Sequence, residues 1–303
     1  MLSTTRETAR VLNTAIDVTT MCATCGQIIN LARERRPSYI CFATAHMLVE
    51  ATRDPEIHES YQTADMVNPD GVPIAWTLRM LGFRNAECVS GPTLFPRLLR
   101  LAAENGLRVG FYGGREETLQ RISSRIRRDI PDLEISYVHS PPFRPLSQNE
   151  QKKDLERIKQ TGTEILFVGL GSPKQELWMR RWAAEIPCVS LGVGAAFEFF
   201  SGEKTLPPFW IQRLGLNWLI RLCQEPRRLF RRNLASPVFA WLAFQQIIQH
   251  LFMPGRIHTL PTASEKPLKQ RIGRSFPMAD RVVPVGNVAE ESSQDHEHLE
   301  IAQ

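Results

Sequence analysis

No run of 18 uninterrupted apolar residues occurs in this 303-residue chain, so the sequence offers no clear membrane-spanning helix. Residues 1–10 are polar and charged with no apolar segment behind them, which reads as the absence of a secretory signal. Cysteine is sparse and scattered: Cys22, Cys25, Cys41, Cys88, Cys188 and Cys223, most of them inside apolar runs, as buried thiols are in a reducing compartment. Cys22 and Cys25 form one Cys-x-x-Cys, but two further ligands at metal spacing are missing nearby, so they read as helix residues and no metal site is expected. No Asp-x-Asp pair stands at a strand end to hold a divalent ion, and no Gly-x-Gly-x-x-Gly follows the first expected strand. These absences point to a cytoplasmic chain that at most rests on a membrane.

Hydrophobic residues make up 43% of the sequence, enough for a sizeable core, and the net charge of +5 is too mild to imply nucleic acid by itself. Short apolar runs alternate with helical periodicity. Strands are expected at 39–43, 107–112, 134–138, 165–168 and 188–193, and helices at 47–53, 91–106, 118–129, 148–160 and 175–184. Leu94, Leu98, Leu101 and Ala102 share one face of the second helix, which stops at Asn105-Gly106. Such alternation predicts an α/β fold, a Rossmann-like parallel sheet flanked by helices. Ligands of these sheets sit at the carboxyl ends of strands. That rule selects the surroundings of Thr44, Gly113-Gly114, the stretch from Gly169 to Gln175, and Gly192 to Ala196.

Gly169-Leu-Gly171-Ser-Pro-Lys174-Gln175-Glu176 follows a strand and opens a helix. Its glycines would let a ligand approach the backbone, the helix N-terminus would offer N–H groups to an anion, Lys174 adds charge, and Gln175 can bond a sugar or base edge. A structural turn is the alternative. Asp70 sits in Asn68-Pro-Asp70-Gly71-Val-Pro73, either as a cap for the helix that starts near Pro73 or as a general base. The loop containing Gly194 suits either a nucleotide or a plain strand-to-helix turn. His46 is either a structural histidine or a site residue.

Beyond residue 205 the composition changes. Lys204, Arg213, Arg221, Arg227, Arg228, Arg231 and Arg232 face a lone Glu225, interleaved with Trp210, Trp218 and leucines. This reads as a basic, aromatic, helical appendage broken at Pro226, suited to phosphate or a membrane surface. Residues 238–252 read as an amphipathic helix for a membrane surface, an oligomer contact or the core. The expected division is therefore 1–205 for the sheet domain, 206–255 for the appendage, and 256–303 for a disordered tail.

Together these stretches resemble the WecG/TagA/CpsF family of glycosyltransferases. The matching pieces are Ala45-His-Met-Leu-Val-Glu-Ala51, Ala64-Asp65, Pro69-Asp-Gly-Val-Pro-Ile-Ala-Trp76, Phe167 to Trp178, Gly192 to Phe197, and Arg213-Leu-Gly-Leu-Asn-Trp218 running into Arg221 and Gln224 to Arg228. The resemblance implies an inverting, metal-independent, cofactor-free transfer from a UDP-sugar to a saccharide on a polyprenyl diphosphate, at the inner face of the plasma membrane. The sugar would be N-acetylmannosamine, its uronic acid or glucose. The resemblance also implies Asp70 as base, Gln175 in the pocket, and Arg221, Arg227, Arg228 and Arg231 reaching the substrate phosphates. The family's Thr-x-Asn after the first strand is Phe42 and Thr44 here, and Thr44 cannot offer an amide. Two rival readings are a nucleotide-dependent oxidoreductase, which lacks its early glycine loop here, and a non-catalytic nucleotide-sugar-binding protein on a membrane. A homo-oligomer is compatible with the sequence; nucleic acid is not an expected partner.

Overall fold

The structure is a computed structural model that describes residues 7–205 and 235–252. Six parallel strands form one sheet in the order β4-β3-β8-β7-β5-β6. They are β3 (Ser38–Ala43), β4 (Met66–Pro69), β5 (Val109–Gly113), β6 (Ile135–His139), β7 (Ile165–Gly169) and β8 (Val189–Gly192). Ahead of them, β1 (Thr8–Val11) and β2 (Thr14–Asp17) pair as an antiparallel hairpin. The expected parallel α/β class is the observed one.

All six residues of β3 are buried, because helices cover both faces of the sheet and successive side chains enter opposite cores. Tyr39, Cys41 and Ala43 enter one core; Ile40 and Phe42 enter the other. The first core lies under α2 (Ala45–Ala51), α3 (Pro55–Gln62), α4 (Val72–Met80), α7 (Gln148–Gln160) and α8 (Lys174–Trp182). The second lies under α1 (Met21–Arg33), α5 (Gly91–Glu104), α6 (Glu116–Asp129) and α9 (Ala196–Phe200).

The helix expected at 238–252 forms as α10 (Ala235–Phe252). Ala235, Phe239, Ala243 and Ile247 recur every fourth residue and are buried, which places one stripe of the helix on the core, against α2 and α4. Gln246 locks this seat. Its Nε2 donates to the Arg10 carbonyl (2.7 Å) and its Oε1 accepts from the Leu12 N–H (2.9 Å), both in the β1–β2 hairpin. The opposite face carries Trp241, Phe244, Leu251 and Phe252 into solvent. No described helix is long and apolar enough to cross a membrane. The basic appendage with its break at Pro226, and the tail, lie outside the described residues.

Candidate active site

Every strand of the sheet delivers its carboxyl end to the same edge. There the chain leaves β3 for α2 on one face and leaves the adjacent β8 for α9 on the other. Neighbouring strands whose following helices diverge leave a crevice between their loops, the usual ligand position in open α/β sheets. Thr44, Asp70, Gly171 and Gly194 all stand at this edge, one or two residues past their strands.

Asp70 follows Pro69, the last residue of β4, and is half-buried. The N-cap position of α4 is Gly71, one residue after Asp70. Gly71, at φ 132°, turns the chain between Asp70 and the first turn of the helix; this left-handed conformation suits glycine alone. Backbone bonds help fasten the Asp70 turn. Its N–H donates to the Ala43 carbonyl at the end of β3 (2.9 Å), and the Pro69 carbonyl accepts from Val89 (2.9 Å). The Gly71 N–H donates to Cys88 Sγ (3.3 Å). Burial first, and then the Asp70 charge, push the Cys88 thiol up to about 12, so it is protonated at neutral pH. Behind Asp70, the buried Asn68 accepts a hydrogen bond at Oδ1 from Thr24 on α1 (3.2 Å).

Across the crevice, α8 begins at Lys174. Gln175 is 3% exposed, and its Nε2 donates to the Gly192 carbonyl at the end of β8 (2.7 Å) and to Glu176 Oε1 (3.0 Å). Its Oε1 has no hydrogen-bond partner among the described residues and lies beside Gly194. A buried amide oxygen without a donor is rare and expects one from a ligand or water. Glu176, expected to touch substrate, is fully buried, accepts from the Ser172 hydroxyl (2.8 Å), and raises the Cys41 thiol of β3 after burial itself. Its carboxylate therefore supports the loop from within. Lys174 is half-buried, makes no hydrogen bond or ion pair with a described residue, and has its pKa lowered by burial. A lysine in the first turn of a helix opposes the helix dipole and gains nothing locally.

The other expected site residues divide. Thr44 accepts from the Met47 N–H (3.3 Å), so its hydroxyl caps α2. His46 is half-buried in the first turn of that helix. Gly171 (φ 76°) opens onto free space and Gly194 (φ 51°) faces Gln175. Gly113, Gly114 and Gly169 stand at strand ends, where the sequence predicts substrate binding. Packing within the chain accounts for them: a Cβ on Gly169 or Gly114 would meet the Phe197 ring, and one on Gly113 would meet the Gly169 backbone. Nothing local in the sequence marked the contacts of Phe197 or Cys88, because their partners are distant along the chain. Arg221, Arg227, Arg228 and Arg231 lie outside the described residues. No group of three or more His, Cys, Asp or Glu suited to a metal ion occurs among the described residues.

The glycosyl transferase WecG/TagA/CpsF family profile matches residues 9–252. A relative from Bacillus spizizenii is 28% identical over 207 residues, covering 68% of this chain and 78% of that protein; it is named N-acetylglucosaminyldiphosphoundecaprenol N-acetyl-beta-D-mannosaminyltransferase. A relative of the same name from Bacillus subtilis is 27% identical over 191 residues, covering 63% of this chain and 72% of its own length. With the match running from the β1–β2 hairpin through α10, the chain belongs to the WecG/TagA/CpsF family of glycosyl transferases.

Proposed function

We propose that the protein transfers an N-acetylmannosamine-type sugar from a UDP-sugar to an N-acetylglucosamine-bearing polyprenyl diphosphate, with inversion and without a metal. The acceptor class and sugar follow the names of the two relatives. Two residues at the same edge of the sheet support this reaction type: the half-buried carboxylate of Asp70 after β4, and Lys174 in the first turn of α8, which makes no hydrogen bond or ion pair with a described residue.

The acceptor hydroxyl gives its proton to Asp70 as its oxygen attacks the anomeric carbon. The bond from that carbon to the UDP oxygen breaks, and both electrons leave with the diphosphate. Negative charge then grows on the leaving group. The N–H groups opening α8 and the Lys174 ammonium supply positive potential for it. The arginines from 221 to 231 would add to that field. Gln175 Oε1, buried and facing Gly194, accepts from a donor sugar hydroxyl or amide. An enzyme acting on such a membrane-linked acceptor would work at the inner membrane surface.

The test is UDP release with UDP-N-acetylmannosamine and a short-chain lipid-diphosphate acceptor, with and without EDTA. Acceptor-dependent release that survives EDTA is expected, with Asp70→Asn lowering kcat at least ~100-fold, the lower end of the range for general base catalysis. Near-normal turnover of a folded Asp70→Asn would remove the base assignment. Loss of release with EDTA, restored by a divalent ion, would remove metal independence.

A further inference from the structure

We infer that Cys88 is a positioning residue for Asp70, acting through the sulfur that holds the Gly71 N–H; this rests on Asp70 being the base. Three of the contacts that hold the turn each take a different atom. Ala43 of β3 holds the Asp70 N–H, Val89 holds the Pro69 carbonyl, and Cys88 holds the Gly71 N–H at 3.3 Å. The first two belong to neighbouring backbone and survive any side-chain change. The third is the only one of them made by a side chain. It acts on the residue whose φ of 132° sets the direction in which the chain leaves Asp70.

Cys88 is itself held firmly. Arg79 Nε donates to the Ala86 carbonyl (2.8 Å) and the Glu87 N–H donates to the Thr19 carbonyl (2.9 Å), while Val89 is buried. The segment is thus a rigid bracket, and the sulfur is its point of contact with the turn. Its protonated state adds no charge beside the carboxylate. A thiol is a weak acceptor, but its long C–S bond reaches across a gap that a methyl group would leave open. Without it the Gly71 N–H, half-buried, needs another acceptor, and the turn can rotate. A base displaced by a fraction of an ångström loses much of its effect on the attacking hydroxyl.

The experiment is a double-mutant cycle on the full chain with Cys88→Ala, Asp70→Asn and both, plus Cys88→Ser. Turnover is measured on folded protein, with Tm as the check. Cys88→Ala is expected to lower kcat about ten-fold, leave KM for the UDP-sugar within about two-fold, and recover in part in Cys88→Ser, whose hydroxyl also accepts. In the Asp70→Asn background Cys88→Ala should cause little further loss, because the two act as one unit. Near-normal kcat in Cys88→Ala, or a loss that simply multiplies with that of Asp70→Asn, would overturn the inference and leave the base intact. Near-normal turnover of Asp70→Asn would overturn both.

Discussion

Phe197 on α9 lies over Gly169 at the end of β7, so close that a methyl group on Gly169 would overlap its ring. The same ring meets Phe95 edge-on at 5.7 Å and Phe111 at 5.9 Å, which fixes it in the second core. Gly169 is therefore small because Phe197 is large. Gly169→Ala should lower stability by ~1–3 kcal/mol, the usual cost of overpacking, and Gly169→Ala with Phe197→Leu should recover part of the loss in Tm. The opposite pattern, an unchanged Tm with lost activity in Gly169→Ala, would return Gly169 to the ligand.

The same pair shows what a sequence conveys and what it withholds. Ile165 to Val168 are apolar, short and followed by glycine, so a buried strand was legible; Leu94 and Leu98 at helical spacing made α5 legible too. These are local patterns with local causes. β4 was harder to read, since its four residues include Asn68 and Pro69 and show neither a run nor an alternation. The β1–β2 hairpin is equally short and mixed. At the site, Asp70 and the Gly169–Glu176 loop stood out because turns and glycines mark strand ends. Their surroundings did not. A glycine required by a neighbour's ring and one required by a ligand look the same in sequence. Only the fold brings Phe197, 28 positions along, onto Gly169, and Cys88 onto Gly71. Glu176 is fully buried beside Gln175, a burial its sequence neighbours do not signal.

Lys174 gives a pH dependence. Burial disfavours its ammonium, so its pKa lies below the ordinary lysine value in the free protein. A diphosphate beside it would favour the charged form. Donor binding should then hold at neutral pH and weaken as pH rises through the lowered Lys174 pKa, seen as a rise in KM for the UDP-sugar with kcat less affected. Lys174→Arg, which stays protonated, should move that rise to higher pH, whereas Lys174→Met should raise KM throughout and flatten the profile. A wild-type profile retained in Lys174→Met would assign the titration to another group.

The two faces of α10 predict separable effects. Phe239 is 2% exposed and packed on the core, so Phe239→Ala should lower stability by ~3–5 kcal/mol, the range for a buried phenylalanine. Trp241 and Phe244 are 61% and 55% exposed and stack on each other at 6.3 Å. Exposed neighbouring aromatics of this kind suit the headgroup region of a bilayer, where an apolar ring gains burial without a defined pocket. Replacing both with serine should leave Tm nearly unchanged, because their rings touch little of the core. It should reduce co-sedimentation with phosphatidylglycerol vesicles several-fold and raise KM for a long-chain lipid acceptor more than for a short-chain one. A KM that rises equally for both acceptors, with vesicle binding intact, would place the pair at the substrate rather than at the membrane.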